Sequence, residues 1–436
     1  MEYSVVPSSV DYHPTMDMGV LAATLEELDK WDYIYVGEAD VMGGFSSLAF
    51  PLEVGRVAVE LGKSVVVPAC SAHIVALTGA EVYGVADVTD LLRLARGEIS
   101  EETAAALNST VAEPNPWDDL VHIHGQEEAK WALEVAVAGG HNLLLVGPPG
   151  EGKSSLAQKA YTIMPPLSDE EALEVTTLWQ AAGRLSPTVI QYTRPCIEAT
   201  KQTTPTALLG GGDAYVGPRP GLVSLAHKGI LLADEFFEWG RPAAESLRIP
   251  LQDKVVNLAR RDWQYMIPAD FQLIATANPC PCGYWKHPRV GCRCTGGQRR
   301  RYLDKMSGPI FDRIDIRVEI QPGDVLGDPM PGRTSKEIAA EVRSAVATQA
   351  ERFRGMHITR NAEMTSGMYD DICNEMPSAR EEMGMQRDAL RLSSRGVYKL
   401  RGLARTIADL AESRSVEQEH VRSAGVLMAW SPEIER

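Results

Sequence analysis

The stretch His141 to Gln158 reads HNLLLVGPPGEGKSSLAQ. Leu143 to Val146 is a short apolar run of buried-strand type. The turn Gly147-Pro148-Pro149-Gly150-Glu151-Gly152 follows, and Lys153, Ser154 and Ser155 then open a helical pattern. A strand, G-x-x-x-x-G-K-[ST] and a helix in that order make a phosphate-binding loop. Such a loop turns backbone N–H groups inward around an anion. The helix behind it points its positive end at the same charge. Lys153 is expected to reach the β- and γ-phosphates of ATP, and Ser154 to hold Mg²⁺.

A phosphate loop needs a second strand that ends in carboxylates. Gly229 to Ala233 (GILLA) is apolar and runs into Asp234-Glu235. Asp234 suits the hydrated Mg²⁺, and Glu235 suits a general base that polarises the attacking water. Beyond it the sequence predicts one helix over ESLRIPLQD. Two strands follow, VVNLAR and FQLIATA, around the basic turn Arg260-Arg261-Asp262. The second strand ends at Asn278, whose amide can bond a γ-phosphate or a water; a turn-forming Asn before Pro279 is the plainer reading.

Two further features sit directly downstream. Cys280, Cys282, Cys292 and Cys294 form two C-x-C pairs around nine residues. Four thiolates on one compact loop can complete a structural Zn²⁺ shell, with His287 as an alternative ligand; four reduced thiols are the competing reading. Lys286, Arg289, Arg293, Arg299, Arg300, Arg301 and Lys305 crowd the same region, interleaved with Tyr284, Trp285 and Tyr302. Such a mixture suits nucleic-acid phosphates and bases, or else a solvated or inter-subunit face. Arg313, after a short helix, can project across a subunit boundary to a neighbour's γ-phosphate, or pair with Asp312 or Asp315.

The remaining chain supplies context. The 436 residues carry a net charge of −16, which excludes a chain that coats nucleic acid non-specifically but not a local basic channel. Seven cysteines, four of them clustered, indicate a reducing compartment, read as the cytoplasm. No apolar run has membrane-spanning length, and the start has no signal-peptide pattern. Residues 1–97 suggest a small α/β domain, with strands at 33–36 and 64–67 and helices at 52–61 and 88–96. Residues 98–119 suggest a linker, 126–137 a helix, 168–228 loops or an inserted hairpin, and 334–430 a helical lid with an N-cap signal at Ser415. Arg395 opens the third lid helix.

Together these motifs resemble the AAA+ ATPases of the magnesium-chelatase-like group, and most closely the ComM/YifB competence-type proteins. The matching runs are GGHNLLLVGPPGEGKS (139–154), SLAHKGILLADE (224–235), ATANPCPCGYW with the later CRC (275–294), RRYLDKMSGPIFDRIDIRVE (300–319) and RGLARTIADL (401–410). The resemblance implies an α/β fold: an AAA+ P-loop core with a parallel sheet at 120–330, and a helical lid at 331–436. It implies ATP with Mg²⁺, a homo-oligomeric ring of hexamer type, and action on single-stranded or branched DNA, as in branch migration. It makes Lys153 and Ser154 Walker A, Asp234 and Glu235 Walker B, Asn278 sensor 1, Arg313 the finger in trans and Arg395 sensor 2. Arg248 is a weaker inter-subunit candidate. Pore hairpins are expected around 185–222 and 253–271, with Lys254, Arg260 and Arg261 as DNA contacts, joined by Arg299 and Arg300 of the basic stretch. Residues 1–97 resemble a shortened Lon-protease-like (S5-like) domain, a candidate site for a protein partner. No lysine lies between Lys30 and Lys63, where a Ser–Lys dyad would need one, so no peptidase activity is expected. Ile197-Glu198-Ala199-Thr200-Lys201 replaces the family's A-P-H-H run. The alternative is a chelatase-type motor subunit that remodels a protein partner.

Overall fold

The computed structural model describes residues 16–17, 33–39, 43–46, 48, 51–95, 108–110, 118–185, 189–213, 217–259, 264–321 and 332–431. Backbone contacts group the chain into two compact units. The larger holds residues 113–166, 194–210 and 221–436. The smaller holds 1–112, 167–193 and 211–220.

The larger unit is built on five parallel strands. They are β1 (Leu143–Val146), β2 (Cys196–Ala199), β3 (Ile230–Ala233), β4 (Gln272–Ala277) and β5 (Ile316–Glu319). Their spatial order is β5-β1-β4-β3-β2. Every residue of β1, β3 and β4 is buried, which explains their near-continuous apolar runs. Leu143 faces Ile274 on one side and Ile316 on the other, so the phosphate-loop strand lies between two later strands. All five strands end at the same edge. In open parallel sheets, ligands bind at that edge where the strand order changes direction.

Helix α1 (Glu127–Gly139) packs on this sheet, and α2 (Lys153–Gln158) starts at the phosphate loop. Four longer helices form the C-terminal part: α3 (Ser335–Arg352), α4 (Pro377–Ala389), α5 (Ser394–Leu410) and α6 (Gln418–Leu427). Helix α5 buries Leu400, Leu403, Ala404 and Ile407, and touches α1, α3, α4 and α6. Among these side chains Arg405 is 1% exposed. It pairs with Asp409 at 3.0 Å and donates to the carbonyls of Cys373, Ser413 and Arg414, so its charge and donors are met internally.

The smaller unit has a parallel sheet of Tyr33–Tyr35, Ser64–Pro68 and Val82–Val85, with Ser64–Pro68 central. Helices Pro51–Leu61, Ala69–Ala76 and Val88–Ala95 accompany it.

Several local expectations need correction. Residues 168–228 are not loops throughout. Asp169–Ala181 is a helix, opened by a capping box between Ser168 and Glu171, and Cys196–Ala199 is the edge strand β2. Within the expected linker 98–119, Asn108–Thr110 pairs in parallel with Val189–Gln191. The run ESLRIPLQD is not one helix. A helix ends at Ser246 and another starts at Pro250, a residue with no N–H to continue the ladder. Helix α6 is capped at Glu417, two residues after Ser415. A hairpin is present within 253–271, but Val255–Ala259 pairs antiparallel with Gln264–Pro268, a strand the sequence did not suggest, and the FQLIATA run is the core strand β4 and not the partner across the turn. The turn residues Arg260 and Arg261 lie outside the described residues.

Candidate active site

The phosphate loop leaves β1 at Val146 and enters α2 at Lys153. Gly152 caps that helix with φ +78°, a left-handed conformation that a side chain would resist. This turn buries Lys153, which is 8% exposed. Its Nζ donates to the carbonyls of Gly147 (2.8 Å) and Pro148 (2.6 Å) and to Asn278 Oδ1 (3.2 Å). Burial pulls the Lys153 pKa down to about 8, against the attraction of Asp234, Glu151 and Glu235. Phosphate oxygens brought to this loop would exchange neutral carbonyl partners for charged ones.

Ser154 Oγ donates to Asp234 Oδ1 at 2.7 Å, so the two groups expected to hold Mg²⁺ are adjacent. A hydroxyl and a carboxylate are hard oxygen donors that fit that ion. Thr276 Oγ1 donates to the same Asp234 oxygen at 2.6 Å and accepts from Glu235 N–H at 3.1 Å. Trp239 Nε1 donates to the Asp234 carbonyl at 2.9 Å. Glu235 itself has φ +49°, an uncommon backbone state for a residue with a side chain. Strain of this kind persists only where surrounding bonds impose it, as the Thr276 bond does here.

Sequence reasoning missed two members of the site. Thr276 was visible as the one hydroxyl in an apolar strand. Lys201, just beyond β2, was noted only as a departure from the family pattern. Its Nζ lies 2.8 Å from Glu235 Oε2. That hydrogen bond raises the Lys201 pKa. The strand ends therefore bring Lys153, Ser154, Lys201, Asp234, Glu235, Thr276 and Asn278 together.

Other expected residues are placed differently. Arg313 is 7% exposed, and its guanidinium donates to Pro309 O (2.7 Å) and Gln252 Oε1. Burial, with the like charges of Arg395 and Arg248, lowers its pKa. Arg395 is exposed at the start of α5. Lys254 is paired with Asp270 (3.1 Å) and Glu363, so its charge is already matched. Arg300 is exposed and 4.0 Å from Asp304, while Arg299 stacks 3.5 Å over the Trp285 ring. The sulfurs of Cys280, Cys282, Cys292 and Cys294 all lie within 4.8 Å of one another, in a group that does not include His287. The His287 Nδ1 instead accepts from the backbone of Arg289 and Val290.

A 5-1-4-3-2 parallel sheet, with a phosphate loop after β1 and acidic residues after β3, its neighbour but one, defines an ATPase module of AAA+ type. Two family profiles narrow the class. One described as magnesium chelatase, subunit ChlI, matches residues 119–325, and one described as its C-terminal part matches 332–426. The chain is 37% identical over 365 residues to an uncharacterised protein of Mycobacterium tuberculosis, covering 83% of this chain and 71% of that one. It is 31% identical over 414 residues to YifB of Escherichia coli, covering 92% and 78%. It is 33% identical over 311 residues to the competence protein ComM of Haemophilus influenzae, covering 70% and 59%. The protein belongs to the magnesium-chelatase-like AAA+ family, with YifB and ComM among its relatives.

Proposed function

We propose that the protein hydrolyses ATP with Mg²⁺ at this strand edge and uses the cycle, as a ring of identical subunits, to move along single-stranded or branched DNA. Lys153 would carry charge to the β- and γ-phosphates. Asn278, bonded to Lys153, would orient the γ-phosphate or the water, and Glu235 would take the water's proton. Bound Mg²⁺ would neutralise charge on the phosphate oxygens, held by Ser154 and Asp234. Arg313 of a neighbouring subunit would complete the site, with Arg395 reaching from the lid. The ring is read as a hexamer, by resemblance.

The DNA assignment rests on one observation. Lys286, Arg289, Arg293, Arg300 and Arg301 are exposed on the cysteine loop and the helix Gly296–Leu303, with Tyr284 and Trp285 half-buried among them. In a chain of net charge −16, that cationic and aromatic surface matches phosphates and bases. The ComM relative is described as a competence protein, a role consistent with DNA handling. Seven cysteines, none of them in a disulfide and four of them clustered, support a reducing, cytoplasmic setting. No helix among the described residues is long and apolar enough to cross a membrane. Residues 1–97, with no lysine between Lys30 and Lys63 to form a dyad, are read as a docking module for a protein partner and not as a peptidase.

The test is steady-state ATP hydrolysis across single-stranded, duplex, forked and four-way-junction DNA, with binding followed against salt. Stimulation by a branched or single-stranded form is expected. Turnover unchanged by every form, without salt-sensitive binding, overturns the DNA reading. Turnover that answers only to a protein partner supports the chelatase-type motor, against which the four-cysteine loop and the N-terminal segment argue.

A further inference from the structure

The cysteine cluster has the dimensions of a metal site. Three Sγ–Sγ separations are 3.5 Å (Cys280–Cys282), 3.7 Å (Cys280–Cys292) and 3.6 Å (Cys282–Cys292). Four thiolates about 2.3 Å from a tetrahedral Zn²⁺ are about 3.8 Å apart along each edge. A disulfide needs about 2.05 Å, so these sulfurs sit at ligand spacing and not at bonding distance. Gly283 turns the first C-x-C pair, with φ +82° and its N–H on Cys280 O at 2.9 Å. In the second pair, Cys294 N–H donates to Cys292 Sγ at 3.4 Å. Four soft sulfur ligands select zinc over the hard ions, and leave no position for a substrate.

The same loop touches the nucleotide machinery at two points. Asn278, whose Oδ1 takes a bond from Lys153, lies two residues before Cys280. A Cβ on Gly283 would lie 2.5 Å from Pro149 Cδ, so the cysteine loop packs directly on the phosphate loop. Arg299 secures the far end, donating to Cys294 O at 2.9 Å while stacked on Trp285.

We propose that Cys280, Cys282, Cys292 and Cys294 bind one structural Zn²⁺ that holds Asn278 and the phosphate loop in register, so that zinc occupancy sets nucleotide affinity. The coupling to nucleotide rests on the ATP-site reading above; the metal site itself does not.

The experiment uses the full chain, purified without chelators, and reads metal and nucleotide separately. Elemental analysis is expected to find about one zinc per chain. Replacement by Co²⁺ should give the absorption of a tetrahedral thiolate complex. Cys282→Ser with Cys294→Ser should lose the metal, whereas Cys282→His should keep it, since histidine is also a zinc ligand. Stripping zinc from the wild-type chain should weaken binding of a fluorescent ATP analogue about tenfold, the loss of one charge-assisted hydrogen bond, and zinc should restore it. Gly283→Ala should keep zinc and still weaken the analogue, because it pushes the loop off Pro149. A chain with four reactive thiols and no affinity for zinc or cobalt overturns the site. Zinc removal without effect on the analogue overturns the coupling. A zinc-loaded chain that binds no nucleotide overturns the ATP-site reading and leaves the metal site standing.

Discussion

The Lys201 ammonium lies 2.8 Å from Glu235 Oε2. Both side chains are about half exposed, so solvent screens the pair and it adds little to stability. Its consequence is for reactivity, because Lys201 occupies a Glu235 oxygen that an attacking water would otherwise approach. Lys201→Ala should leave the melting temperature and ATP binding unchanged, raise turnover without DNA, and shrink the stimulation that DNA gives. A fall in basal turnover would instead make Lys201 part of the chemistry. Glu235→Gln should keep nucleotide binding and lower hydrolysis by about 10²–10⁴-fold; retained turnover would show that another group is the base.

Lys153 supplies a pH dependence. Burial places its pKa near 8, so the ammonium is lost as pH rises through about 8. Phosphate binding requires the charged form. Affinity for an ATP analogue should therefore be flat below pH 7.5 and weaken above 8, by up to about tenfold per pH unit until the lysine of the complex also titrates. Lys153→Ala should abolish binding at every pH. Affinity independent of pH from 7 to 9.5 contradicts the assignment.

Asp315 and Lys399 join the sheet to the lid. Lys399 Nζ, on α5, lies 3.0 Å from Asp315 Oδ1 and donates to Ile314 O at 3.1 Å. Burial alone would raise the Asp315 carboxyl, but Lys399 and His141 overcome it and hold the carboxyl well below the usual carboxylate range. A depressed carboxylate pKa stabilises the fold above the unfolded value near 4 and loses that effect as pH falls below it. Asp315→Asn should cost about 3–5 kcal/mol in urea unfolding at pH 7, and flatten the acid limb of the stability curve. An unchanged midpoint at pH 7 rules the pair out as a clamp.

Arg313 can be tested by mixing. Arg313→Ala protein should hydrolyse more slowly by about 10³-fold or more, and Lys153→Ala protein, which binds no ATP, not at all. If Arg313 serves a neighbour's nucleotide, mixed rings regain activity where an intact arginine meets an intact phosphate loop. The bond from Arg313 to Gln252 would then have to open in the ring. No recovery in any ratio places its role within one chain.

The strands that are buried on both faces were legible because they read as unbroken apolar runs beside chemically loaded ends. β1 with Lys153 and β3 with Asp234 are of this kind. The edge strand β2 was not, because Glu198 in it is exposed and breaks the run. With β2 unseen, Lys201 had no position, and its pairing with Glu235 could not be inferred. The helix Asp169–Ala181 was passed over among glycine- and proline-rich neighbours, although Ser168 and Glu171 carried a capping-box signature. The buried Arg313 bonds to Gln252, 61 residues away, and no local pattern encodes that partner.

The position of β1 has a consequence for synthesis. Its sheet neighbours are β4 and β5, both made much later, and Lys153 and Asn278 are 125 residues apart in sequence. A chain growing on the ribosome therefore carries the Leu143–Val146 run without strand partners until β4 has emerged. Over that interval the most apolar segment of the sheet is open to wrong pairing or to chaperones. A nascent chain halted before Asn278 should fail to retain ATP, and one halted beyond β5 should hold it.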